Sequence, residues 1–263
     1  MNKPLNTPSS AGFRLGGDTI EVMAMTALLI ISIVFFSLLA PGFLSATNFS
    51  SMSMQLPELG LLSLAMLVPI ISGGLNLSVT FTANIAGLTT AWLVQGLLAG
   101  MGILSVPMAI MAGLVVGAAA GFLIGFIVAY VGAHPILVSL GAMIFLQGVG
   151  EFLTRGGGIS GMPEVFRIIG SGSFLGVPIP MLIFLAAAAG LMYVMHFTRT
   201  GFSIYMLGSN PRATEYSGIN VKRVLITVYT ISGLLAGLAG MVMLARFNSV
   251  RVGHGESYLL ITV

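Results

Sequence analysis

Cysteine is absent from this 263-residue chain, which excludes disulfides, thiolate metal sites and cysteine nucleophiles. Charge is scarce: Asp, Glu, Lys and Arg make up 6% of the residues, whereas a soluble domain carries about 25%. No charged residue falls in the runs Val22 to Pro57, Leu59 to Gly150, Ile168 to Thr198 or Val224 to Ala245. Uncharged runs of that length exclude packing in water, and their continuous apolarity excludes the alternating strands of a membrane barrel. The ten basic residues, which give a formal charge of +3, are scattered. They form no block that could track a phosphate backbone, so nucleic acid is excluded as a partner. There is no HExxH metal motif, and neither Lys3 nor Lys222 is followed by the Ser or Thr of a phosphate-binding loop, so the chain is not itself an ATPase. No catalytic residue, metal site or cofactor is expected.

What is present is 57% hydrophobic residues, 35 Gly and 17 Met, with a mean hydropathy of +1.06. The reading is an all-α, polytopic transmembrane helical bundle. Spans are expected near Val22 to Ala40, Leu59 to Ser72, Asn76 to Leu98, Ile103 to Tyr130, Pro135 to Leu153, Val177 to Phe197 and Val224 to Ala245, about seven in all. The second is short, is bracketed by Pro57 and Pro69 and runs into Gly73 and Gly74, which predicts a broken or re-entrant helix. Residues 1–21, with Lys3, Arg14, Asp18 and Glu21, read as an N-terminal tail, followed by one membrane domain over 22–263. The first apolar run is of full span length and reads as an uncleaved helix rather than a signal peptide. Arg199, Arg212, Lys222 and Arg223 cluster in the loop 198–223. The positive-inside rule then puts this loop and the N-terminus in the cytoplasm. A new apolar stretch starts at Ser257 and stops at Val263, too short to cross a bilayer. A truncated reading frame, with C-terminal helices missing, is the expectation.

Three constellations stand out. Gly113, Gly117, Gly121 and Gly125 recur every fourth residue in the fourth span, and Gly233, Gly237 and Gly240 repeat the device in the seventh. Such faces admit a neighbouring backbone closely, either within the chain or at a subunit seam. Beside the broken second span stand Gly73, Gly74, Asn76, Ser78, Thr80 and Asn84. Asn76, Thr80 and Asn84, four apart, read as one helix stripe that either lines a path for a neutral, hydroxyl-rich solute or bonds locally and between helices. Glu58 and Glu151 read as span ends, His134 as a turn and His196 as near a cytoplasmic helix end, so no ionisable group is expected inside a span. That argues against ion-coupled transport.

The third constellation is Gly208 to Arg223. Asn210 is a good N-cap, Pro211 suits the first helical position and Gly218 supplies a left-handed stop. The product is a helix of about two turns, expected to expose the small side chains of Ala213, Thr214 and Ser217.

This stretch resembles the cytoplasmic coupling loop of ribose-type sugar permeases of bacterial ATP-binding-cassette importers, with pattern G-x-N-x-x-A-A/T-x-x-S-G-I-x-V. Gly208, Asn210, Ala213, Thr214, Ser217, Gly218, Ile219 and Val221 match it. Ser72 to Val79 is similar to the S-G-G-I/M-D-L-S-V-G element of that family, with Asn76 in place of Asp and Thr80 in place of Gly. His134 to Gly141 is similar to its P-F-I-V-T-L-G element. The resemblance implies a permease of the bacterial inner membrane. Its implied partners are a second permease subunit in a homo- or heterodimer, cytoplasmic ATPase subunits and a periplasmic sugar-binding protein. It also implies a neutral pentose or hexose as cargo. ATP-driven motion would enter through the loop. The alternative is a stand-alone secondary carrier or channel for small polar solutes.

Overall fold

The computed structural model describes residues 17–262; the tail reading for residues 1–16 lies outside the described residues. The described chain divides between Ser50 and Ser51 into two compact units. The first contains α1 (Gly17–Leu39), whose Ile20–Leu39 stretch has a mean hydropathy of 2.7, enough to cross a bilayer.

The second unit is built around α10 (Val221–Phe247). Before it in the chain come α2 (Ala46–Ile71), α3 (Val79–Gln95), α4 (Ser105–Phe126, continued by a π-turn to Val131), α5 (Pro135–Thr154), α6 (Glu164–Ser171), α7 (Ile179–Phe197), α8 (Arg199–Ser209) and α9 (Pro211–Tyr216). After it comes α11 (Glu256–Thr262). Four short strands complete the unit: β1 (Gly158–Ser160), β2 (Ser173–Phe174), β3 (Val177–Pro178) and β4 (Ser249–Arg251). β1 pairs antiparallel with β4, and β2 with β3.

Contacts along α10 order the other helices. Near its start, Ile226 lies against Gly125; further along, Tyr229 meets Gly121, Gly233 meets Gly117 and Met241 meets Gly113, so α4 runs antiparallel to it. α3 runs parallel: just before it Asn76 stands beside Ser232, and its last residue, Gln95, donates to the Ser160 carbonyl at β1. The Ile71 carbonyl at the end of α2 lies under Gly208, and Pro135 at the start of α5 lies beside Gly74. α9 therefore marks one end of the bundle and the β1–β4 pair the other, and α2, α3, α4, α5, α7 and α10 alternate in direction between them.

Two expectations are corrected. The second span is not a short fragment starting at Leu59: α2 is a continuous 26-residue helix with Pro57 and Pro69 inside it. A membrane helix tolerates proline because neighbouring groups satisfy the freed carbonyls. The break lies after it, in the unwound segment between Ile71 and Val79, where Gly73 takes φ +85°. Second, the third helix begins at Val79, not Asn76. The Asn76 Oδ1 accepts from the Ser78 N–H at 3.2 Å, a local turn that competes with helix. At 17 residues α3 is about 25 Å long, and six other described helices are longer and apolar enough to span.

Candidate functional site

The loop 198–223 holds two short helices, α8 and α9, and leads into α10. Thr198 caps α8 by accepting from the Gly201 N–H at 3.3 Å. The Asn210 Oδ1 caps α9 by accepting from the Ala213 N–H at 3.1 Å, with Pro211 as its first residue. Gly218, at φ +80°, takes the chain out of α9 through the left-handed region that glycine favours. Ile219 turns inward onto the core, and its N–H donates to the Thr214 carbonyl. One expectation fails: Thr214 is not presented outward but is fully buried, its hydroxyl donating to the Asn210 carbonyl at 2.8 Å. The exposed face consists of Arg212, Ala213, Glu215, Tyr216 and Ser217, and Tyr216 is 92% exposed. Composition favoured the small residues and missed this aromatic.

The root of this loop touches the unwound segment. A Cβ on Gly208 would overlap the Ile71 carbonyl, and Gly73 lies against the Gly208 Cα. From there the chain enters the bundle. A Cβ at Gly74 would stand 2.6 Å from the Tyr229 hydroxyl, which donates to the Leu75 carbonyl at 3.3 Å. The Asn76 amide then donates to the Ser232 hydroxyl at 2.9 Å, and the Ser78 hydroxyl donates back to Asn76 Oδ1 at 2.7 Å. Thr82 continues the row 3.5 Å from Ser78. Thr80 is buried beside them. Asn84 faces the segment after β4: with its amide turned so that both groups are satisfied, its nitrogen donates to the His254 carbonyl at 3.0 Å and its oxygen accepts from the Gly253 N–H at 3.1 Å. Burial and nearby Arg251 hold the His254 imidazole below its ordinary pKa.

Asn76, Ser78, Thr80 and Asn84 are thus all buried. Asn76 is shut against α10 and Asn84 against the segment that follows it, with Asn76 off the helix that carries the other two stripe members. Tyr229 and Ser232, the partners on α10, were not singled out as site residues from sequence. The available signal was their polarity within an otherwise apolar, glycine-rich span.

The glycines divide by contact. A Cβ on Gly121 would overlap the Tyr229 carbonyl, and one on Gly233 the Gly117 carbonyl. At Gly117 it would stand 2.6 Å from the Gly233 carbonyl, and at Gly125 2.9 Å from the Ile226 Cα. Gly113 faces Thr90 and Met241, and Gly240 faces the Ala83 carbonyl. Gly237 has room, its nearest neighbour being 3.5 Å away. These glycines seal α10 to α4 and α3 within one chain.

A charge also lies inside a span, against expectation. Because α2 starts at Ala46, Glu58 falls mid-helix. Its side chain is fully buried and lies 2.8 Å from Arg246 Nε in the last turn of α10. Among the described residues no three His, Asp or Glu side chains gather as metal ligands would.

The comparisons with known proteins agree with this architecture. The family model described as "Branched-chain amino acid transport system / permease component" matches residues 48–263. The autoinducer 2 import system permease protein LsrD of Salmonella typhi is 30% identical over 247 residues, covering 92% of this chain and 73% of that protein. Its counterpart in Salmonella typhimurium is 30% identical, over 90% of this chain and 72% of that protein. An Escherichia coli counterpart is 28% identical over the same shares. No solved structure matches. The chain therefore belongs to the family of branched-chain amino acid transport system permease components, as a multi-pass membrane transport subunit and not an enzyme.

Proposed function

We propose that this permease forms the path for a small neutral solute, a ribose-like sugar or a related compound, handed over by a binding protein and moved by ATP hydrolysed in separate subunits. Membership of the family implies ATPase and binding-protein partners. α9 is the ATPase contact and faces the cytoplasm with the N-terminus, and a second permease copy or relative completes the path. The observation that carries this reading is the contact of Gly208, at the root of α9, with Ile71 and Gly73. A displacement of α9 is transmitted there to the unwound segment, and through it to the Tyr229–Leu75 and Asn76–Ser232 hydrogen bonds. Those bonds are between uncharged groups, so they exchange for solute hydroxyls without burying an ion. The exposed Tyr216 fits the role of an aromatic anchor in a partner's groove. Autoinducer 2, named in the relatives, is the first solute to test beside ribose.

The absence of native cysteine gives a direct test. A single thiol introduced by Ala213→Cys, on the exposed face of α9, is expected to cross-link to an ATPase subunit in membranes, whereas the buried Thr214→Cys is not. Failure of the Ala213 thiol to capture an ATPase, with insertion normal, removes the coupling assignment.

A further inference from the structure

Arg199 opens α8 and Arg223 lies in the first turn of α10. Together with Thr200, Ser203, Val224 and Thr227 they line a cavity of about 210 Å³. The Ser203 and Thr227 hydroxyls donate to the Arg199 and Arg223 carbonyls, each at 2.8 Å. Arg199 and Arg223, both exposed, are the charged residues of this lining. Among the described residues the ion pair present is Glu58–Arg246, and neither arginine has a carboxylate partner. No acidic residue stands in the first turn of α8 or α10, so both cations sit where the helix dipoles oppose them. Concavity, paired positive charge and no internal counter-charge describe a site for an anion.

Its level identifies the anion. Tyr193, Phe197, Phe202 and Tyr205 are exposed around the junction of α7 and α8, and Lys222 lies 4.8 Å over the Tyr130 ring. Exposed tyrosines such as Tyr193 and Tyr205, beside basic side chains, mark the boundary between hydrocarbon and water, and basic pockets between helices at that level bind anionic headgroups. We propose that this cavity binds the phosphate of an anionic phospholipid between Arg199 and Arg223, each guanidinium donating to phosphate oxygens. Placing the site in the inner leaflet rests on α9 facing the cytoplasm; binding itself does not.

The test uses the full chain in phosphatidylcholine nanodiscs containing phosphatidylglycerol, with the lipid retained after release read by native mass spectrometry. Wild-type protein is expected to retain phosphatidylglycerol. Arg199→Gln combined with Arg223→Gln is expected to weaken retention about 30-fold, and Arg199→Gln alone about fivefold. The single variant decides if the double does not fold. Arg155→Gln with Arg167→Gln removes equal charge at the other end of the bundle and is expected to retain the lipid. Equal retention by wild type and the Arg199 and Arg223 variants overturns the proposal. So does displacement of the lipid by inorganic phosphate, which would assign the cavity to a soluble anion. Loss of ATPase binding in the variants with lipid retention intact also overturns it, in favour of an acidic protein surface. Failure of the Ala213 cross-link would leave lipid retention unchanged, so the two readings fail separately.

Discussion

α10 has two unlike faces. Toward α4 it offers Gly233 and Gly237, which let backbone meet backbone: Gly117 against Gly233 and Gly121 against Tyr229. Toward the unwound segment it offers Tyr229 and Ser232, which meet their partners through side-chain hydrogen bonds. The first face has no adjustable part, because a carbonyl cannot be repacked like a side chain. The second holds by exchangeable bonds of about 1 kcal/mol each. Under the proposed function the first seam stays closed and the second opens; the second is the one that contacts the root of α9 through Gly208.

Substitutions should separate the two faces in order of size. Gly121→Leu drives a side chain into the Tyr229 carbonyl and is expected to cost about 3 kcal/mol or more, seen as loss of folded protein in a thermal melt. Asn76→Leu removes the donor to Ser232 and the acceptor for Ser78. It should cost about 1–2 kcal/mol while abolishing transport, measured by melting and by solute uptake in the assembled importer. A stability loss as large as that of Gly121→Leu would remove the distinction.

Acid should act elsewhere, on the segment after β4 that bonds Asn84 of α3. The His254 pKa is depressed below 6.5 by burial and by Arg251, so the unfolded chain binds the proton more readily. Stability is therefore full above 6.5 and falls as pH drops below it, loosening the segment that bonds Asn84. His254→Asn should flatten that limb of a stability against pH profile. Smallest of all, Gly237→Ala fits a site whose nearest neighbour is 3.5 Å away and should shift stability by less than about 0.5 kcal/mol.

The membrane class and the alternating order of helices were legible because hydrocarbon demands long uncharged runs, and the sequence has them. The caps of α9 were legible because Asn210, Pro211 and Gly218 act within a few residues. The extent of α2 was not: Pro57 reads as a break by the rules of water-soluble helices, and shortening the helix in turn pushed Glu58 to its edge. Asn76 was misplaced onto a helix because a four-residue spacing cannot reveal that its side chain bonds the Ser78 N–H. The burial of Thr214 and the exposure of Tyr216 depend on how α9 sits on the bundle, which no local pattern encodes.

The claim at the centre is that the hydrogen-bonded seam opens when the ATPase works. Ser232→Cys puts a single, nearly isosteric thiol in that seam, and its reaction with a water-soluble maleimide can be followed in the assembled transporter with and without ATP. The account predicts protection at rest, where Ser232 is fully buried, and labelling during turnover. Equal protection in both states, with transport proceeding, would contradict it.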